Sequence, residues 1–115
     1  MSDSDLTLRE AQRRVDAWIS QYQAGYWPAL ANLARLVEET GELARLLNHL
    51  AGHKPKKADE AEQELGMELA DIIYTVICLA NSLDVDLDDA FKRVLYKVET
   101  RDARRYPRKD ERAAE

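Results

Sequence analysis

Five carboxylates set the chemistry open to this sequence. Glu38, Glu39 and Glu42 form an EExxE string, and Glu68 with Asp71 forms an ExxD string after 25 intervening residues. Residues three apart face the same way on a helix. Several carboxylates held at one half-buried level repel one another and lose hydration unless a cation is shared among them. Hard oxygen donors without ligand thiols favour Mg²⁺, with Mn²⁺ as its close substitute, over zinc. An incomplete protein cage leaves coordination positions for water and substrate phosphates. Helical di-iron sites need ExxH on two helices, and the chain has no ExxH. An isolated acidic string is usually a solvated helix face; two strings at matched height are a different matter.

Helices must supply that match. With four Gly and three Pro, and apolar residues recurring at helical spacing almost throughout, the chain reads as all-α with four helices. The first opens at Thr7, with Glu10 completing a capping box, and carries the stripe Leu8, Ala11, Val15, Trp18, Ile19, Tyr22 until a stop before Gly25. Tyr26, Trp27 and Pro28 make a turn, with Pro28 in the first turn of a helix that runs to about Ala51. The segment 52–57 breaks the chain through Gly52 and Pro55. A third helix spans about Asp59 to Leu83, with the apolar face Leu65, Leu69, Ile72, Ile73, Val76, Ala80, Leu83. Asp86 caps a fourth, which carries Leu87, Ala90, Phe91, Val94, Leu95 and Val98.

If the second and third helices form a hairpin about 52–57, both acidic strings lie some 10 to 12 residues from the turn. At 1.5 Å per residue that is roughly 15 to 18 Å on each arm, so they meet. On a wheel of about 100° per residue, Glu39 falls within the apolar arc of Leu36, Leu43, Leu46 and Leu50, Glu42 lies at its edge and Glu38 further round. Glu64, Glu68 and Asp71 make an i, i+4, i+7 stripe bordering the apolar face of the third helix.

Other polar groups are candidates for substrate contact. Lys97 and Arg101, one turn apart on the fourth helix, offer a point charge and a planar fork to phosphate oxygens, or pair with Asp102 and neighbouring acids. Asn81 is a ligand contact or a hydrogen-bonded core amide. His49 lies near the angle of Glu42 and Glu38, where a lone histidine is more often a surface residue. Trp27 can stack on a base or simply pack. Cys78 falls on the flank away from the core centre, without an activating partner, and reads as structural.

The 115 residues are enough for one domain, residues 1–107, followed by a charged tail at 108–115 expected to fray. A helical chain of this size often completes its burial by dimerising. One cysteine excludes an internal disulfide, no run of 18 apolar residues suggests a membrane span, and the acidic N-terminus is unlike a signal peptide. A cytoplasmic protein is expected. The net charge of -5 argues against bulk nucleic-acid binding. It conceals a split: ten acids and no Lys or Arg from Ala58 to Phe91, then nine bases and five acids from Lys92 to Glu115. That division suggests a metal site in one part and phosphate contacts in the other.

The string EETGE at 38–42 within 33–47 (LARLVEETGELARLL), followed by ELADII at 68–73, resembles the MazG-like nucleotide pyrophosphohydrolases of the all-α NTP pyrophosphatase superfamily. The resemblance spans about 15–107. NH at 48–49, KPKK at 54–57, CLANSL at 78–83 and KVETRD at 97–102 are similar to a small single-domain bacterial subgroup. It implies a four-helix subunit that forms a homodimer or dimer of dimers, with Mg²⁺ between the second and third helices. It further implies hydrolysis of a nucleoside triphosphate between the α and β phosphates, giving monophosphate and pyrophosphate, as in nucleotide pool sanitation. By motif position Glu39, Glu42, Glu68 and Asp71 would be metal ligands, Glu38 a further ligand or the group that orients the attacking water, and Lys97 a phosphate contact. Many relatives carry KxxxN where this chain has Lys97 followed by Arg101 and Asp102, so Arg101 departs from the pattern. The alternatives are a non-catalytic helical module that binds nucleotide or a protein partner, and a purely structural dimerisation unit.

Overall fold

The computed structural model describes residues 5–52 and 58–110, with side chains in the second stretch described from Glu64 onward. Four helices occur in the order α1 (Leu8–Ile19), α2 (Ala29–Leu50), α3 (Ala58–Ser82) and α4 (Leu87–Arg101), with no strand among the described residues. Residues 111–115 of the tail expected to fray at 108–115, and residues 53–57 with Pro55, lie outside the described residues.

Local chemistry sets the helix ends. Thr7 accepts the Glu10 backbone N–H at 3.1 Å and starts α1. Asp86 does the same for Asp89 at 3.3 Å and starts α4. Pro28 stands one position earlier than expected, as the residue before α2, and its carbonyl accepts the Asn32 N–H at 3.1 Å. Gly52 follows α2 at φ 91°, a left-handed conformation that costs glycine little. Asp84 takes φ 57° in the α3–α4 turn, where an aspartate is one of the better-tolerated non-glycine residues.

The α2–α3 hairpin is the principal packing unit; α1 lies on α3, and α4 packs chiefly against α1. A hydrogen-bond junction fixes that arrangement. Gln12 of α1 donates to Asn81 Oδ1 at 2.9 Å and to the Val85 carbonyl at 2.8 Å, and its own Oε1 accepts the first α4 N–H, that of Leu87, at 2.9 Å. Asn81 Nδ2 donates to the Gln12 carbonyl at 3.0 Å and to the Tyr26 hydroxyl at 2.9 Å. Tyr26 donates in turn to Asp16 at 2.7 Å. Burial, followed by that bond to a carboxylate, pushes the Tyr26 phenol up to about 12. Arg9 adds ion pairs to Asp86 at 2.8 Å and Asp88 at 3.4 Å.

The buried apolar set is small: Leu46, Ile77, Cys78 and Ala80, with Asn32 and Thr75 as buried polar residues. Cys78 is therefore in the core rather than on an outer flank, because α1 and the α1–α2 turn cover that side of α3. Much of the expected apolar stripe is correspondingly uncovered: Leu69 and Ile73 on α3 and Leu83 just after it, Trp18 on α1 and Tyr22 just beyond its end, and Phe91, Val94, Leu95 and Val98 on α4. The radius of gyration, 18.6 Å, exceeds the roughly 13 Å of a compact domain of this length. Within α3, Glu64–Ser82 is long and apolar enough by length and composition to cross a membrane; its Glu68 and Asp71 and its packing on α2 and α1 identify it as the central helix of the bundle.

Candidate metal and phosphate site

Near the middle of the hairpin, α2 and α3 bring Glu39, Glu42 and Glu68 together, with one carboxylate oxygen of each within 4.8 Å of the others. Glu39 is held in that position by being on the buried arc of α2, where its side chain is only 15% exposed. Its Oε2, and Oε2 of Glu68, are enclosed without a hydrogen-bond partner. Two enclosed carboxylate oxygens without partners, on side chains brought this close, are costly unless something positive lies beside them. Arg35, one turn earlier on α2, reaches Glu39 Oε1 only at 4.0 Å and leaves that need unmet. Desolvation, reinforced by the charges of Glu42, Glu39 and Asp71, raises the Glu68 carboxyl above its ordinary value. The donor set is all oxygen, acidic and partly enclosed, so it fits a hard divalent cation.

Asp71 lies near enough to act electrostatically on Glu68, although it is not one of the three residues in the tight group. Glu38 is exposed and also stands outside that group. An open cavity of about 340 Å³ adjoins the cluster toward the hairpin turn, lined by Glu42, Arg45, Leu46, His49, Glu64 and Glu68. His49 is thus beside the acids rather than on a remote surface. Arg45 and Arg35, the cations closest to the acids along α2, were not anticipated as site residues; their positions at i+3 from Glu42 and i−4 from Glu39 were the available signal.

Four expected substrate contacts lie away from that cavity in a single chain. Lys97 and Arg101 are exposed, and neither lines the cavity at the acids, because α4 packs on α1 instead of closing over the α2–α3 seam. Arg101 instead pairs with Asp102 at 3.4 Å. Asn81 has both amide hydrogens committed to the helix junction, so its role there is as a core amide. Trp27 is 54% exposed and stands beside a second, smaller pocket, with the Arg35 guanidinium 5.6 Å from its ring centre. The charge split also reads differently: Asp88 and Asp89 pair with Lys92 and Arg93 one turn on, so part of the later basic segment is engaged with the earlier acidic one.

An all-α hairpin that gathers carboxylates from two facing helices defines the class: a helical bundle with a candidate divalent-cation site between its arms. Residues 28–106 match the MazG nucleotide pyrophosphohydrolase domain. The chain belongs to that family and is a nucleotide pyrophosphohydrolase. The uncharacterized protein YpjD of Bacillus subtilis (strain 168) is 48% identical over 108 residues, covering 94% of this chain and 97% of that protein. A crystal structure of YpjD from Bacillus subtilis, described as a candidate pyrophosphatase, superposes with a TM-score of 0.76 at 47% identity, covering 84% of this chain and 99% of the other. The Bacillus-conserved MazG protein, a nucleotide pyrophosphohydrolase, gives a TM-score of 0.74 at 42% identity over 85% of this chain and 95% of its own.

Proposed function

We propose that this chain is a Mg²⁺-dependent nucleoside triphosphate pyrophosphohydrolase, with Mn²⁺ able to substitute, that cleaves between the α and β phosphates to release monophosphate and pyrophosphate. The observation that carries this reading is the pair of enclosed, unpartnered carboxylate oxygens on Glu39 and Glu68, one on each arm of the hairpin. Glu39, Glu42 and Glu68 would hold the ion, with Asp71 as a fourth carboxylate beside them. A divalent ion so bound supplies Lewis-acid polarisation of phosphate oxygens and lowers the pKa of bound water.

The side chains then divide the remaining work. Glu38, exposed next to Glu39 in sequence, orients the attacking water or takes its proton. Attack in line on the α phosphorus breaks the bond to the α–β bridging oxygen, and pyrophosphate leaves with that oxygen. Arg45 and His49 line the cavity on the hairpin side, where cationic and donor groups would meet the departing phosphates. The scaffold works as a homodimer or dimer of dimers in the cytoplasm, and a second chain would be needed to carry Lys97 and Arg101 to the phosphates. Neither nucleic acid nor membrane is proposed as a partner.

The test is a nucleotide panel assayed for pyrophosphate release with Mg²⁺, Mn²⁺ or EDTA. Monophosphate plus pyrophosphate is the expected product pair, lost in EDTA and reduced at least about a hundredfold in Glu39→Gln, on the scale of removing one important charge-stabilising group. Wild-type rates in Glu39→Gln and Asp71→Asn would sink the site assignment. Nucleotide binding with no bond cleavage would favour the non-catalytic module.

A further inference from the structure

On the side of the acidic cluster away from the hairpin turn, the α1–α2 turn and the same two helices enclose a second pocket of about 140 Å³. Tyr26, Trp27, Asn32, Arg35, Tyr74 and Cys78 form its characteristic wall. Arg35 is shared between the two regions: its guanidinium is 5.6 Å from the Trp27 ring and 6.0 Å from the Tyr74 ring, while its Nε reaches Glu39 at 4.0 Å. Asn32 is 4% exposed and, with Arg35, brings polar groups into a largely aromatic wall. It donates to the Trp27 carbonyl at 3.4 Å, which fixes it beside that residue. A carboxamide can both donate and accept toward a heteroaromatic edge. Burial pushes the Cys78 thiol up, so that position is a small neutral wall and not a nucleophile.

Position along the helices relates pocket to cluster. Asn32, Arg35 and Glu39 stand at i, i+3 and i+7 on α2, and Asp71, Tyr74 and Cys78 at i, i+3 and i+7 on α3, so each set shares one helix face. From Glu39 back to Arg35, or from Asp71 on to Tyr74, is about one turn, roughly 4.5 to 6 Å. That is the span of a pentose with its 5′ oxygen. A closed cavity of about 150 Å³ accepts one benzene ring; this pocket, about 140 Å³ and open on one side, matches a single six-membered ring more closely than a fused pair.

Resting on the function proposed above, we infer that this pocket receives the base of the triphosphate and selects pyrimidine over purine nucleotides. The base stacks among Trp27, Tyr74 and the Arg35 plane, Asn32 meets its polar edge, and the triphosphate runs past Glu39 and Glu68 toward Arg45 and His49.

The experiment compares kcat/KM for dCTP, dUTP and dTTP with that for dATP and dGTP, in wild type, Trp27→Ala and Tyr74→Ala. Trp27 is half exposed, so its replacement keeps the test usable if Tyr74→Ala fails to fold. The expected result is at least about a tenfold pyrimidine preference carried by KM, on the scale of losing one base-stacking contact, with the ratio compressed in the variants while kcat changes little. A binding readout needs no turnover: in a Trp18→Phe background, dCMP should quench Trp27 fluorescence at lower concentration than dAMP. Equal or purine-favouring rates in wild type, or a ratio unchanged by Trp27→Ala, would overturn the base pocket while leaving the hydrolase reading intact. Failure to cleave any triphosphate would instead remove that reading, and this inference with it.

Discussion

Glu68 carries an energetic conflict that a bound cation would resolve. Its raised carboxyl pKa arises from desolvation first and from the charges of Glu42, Glu39 and Asp71 after it. A group whose native pKa exceeds its unfolded value of about 4.5 gives stability that is full below that value and is lost as pH rises through the native one. In EDTA, therefore, Glu68→Gln and wild type should melt together near pH 4.5, and the variant should melt higher at pH 7.5. Adding Mg²⁺ at neutral pH should raise the wild-type melting temperature by several degrees, since a ligand at a hundred times its Kd contributes about 2.7 kcal/mol, and should raise the variant far less. Differential scanning calorimetry at three pH values, with and without metal, reads both effects. Equal metal gains in the two proteins would mean that Glu68 is not a ligand.

Between elements, the Gln12 side chain does what apolar packing does elsewhere. It satisfies the leading N–H of α4, one of the donors every helix leaves open, and ties α1 to the end of α3. Gln12→Ala would strip the Leu87 N–H and Asn81 Oδ1 of these partners in a partly buried junction. The expected cost is about 1 to 3 kcal/mol, measurable by urea unfolding, with most of the metal-dependent stabilisation kept because the α2–α3 hairpin is untouched. Loss of metal response in a folded Gln12→Ala protein would show that the junction reaches the site. Here the sequence was legible in part. Thr7 and Asp86 announce the starts of α1 and α4 through local backbone bonds, which need only neighbours three residues away. The Gln12–Asn81 contact joins residues 69 apart, and neither residue type nor helical period encodes that distance.

Over the whole molecule, apolar surface exceeds what one chain covers. Phe91, Val94, Leu95 and Val98 follow one another at helical spacing on α4 and are all exposed, as are Leu69 and Ile73 on α3. Burial of such side chains contributes about 1.5 to 3 kcal/mol each, enough in sum to drive association of two chains. Sedimentation velocity should find a dimer or tetramer at micromolar concentration, and Val94→Glu should shift it toward monomer. A monomeric wild-type chain would contradict the dimer.

The sequence by itself determined the four helices, the Thr7 and Asp86 caps, and the matched height of two acidic strings, because helical period and rise are local constants that carry side chains to computable positions. It therefore made Glu39, Glu42 and Glu68 visible before any coordinates. Only the tertiary structure decided that α4 lies on α1 and keeps Lys97 and Arg101 away from those acids within one chain, that Asn81 serves the junction, and that Cys78 is buried. Those outcomes depend on which face of each helix meets which neighbour. An apolar stripe wider than one partner can cover leaves that choice to the packing of the whole chain.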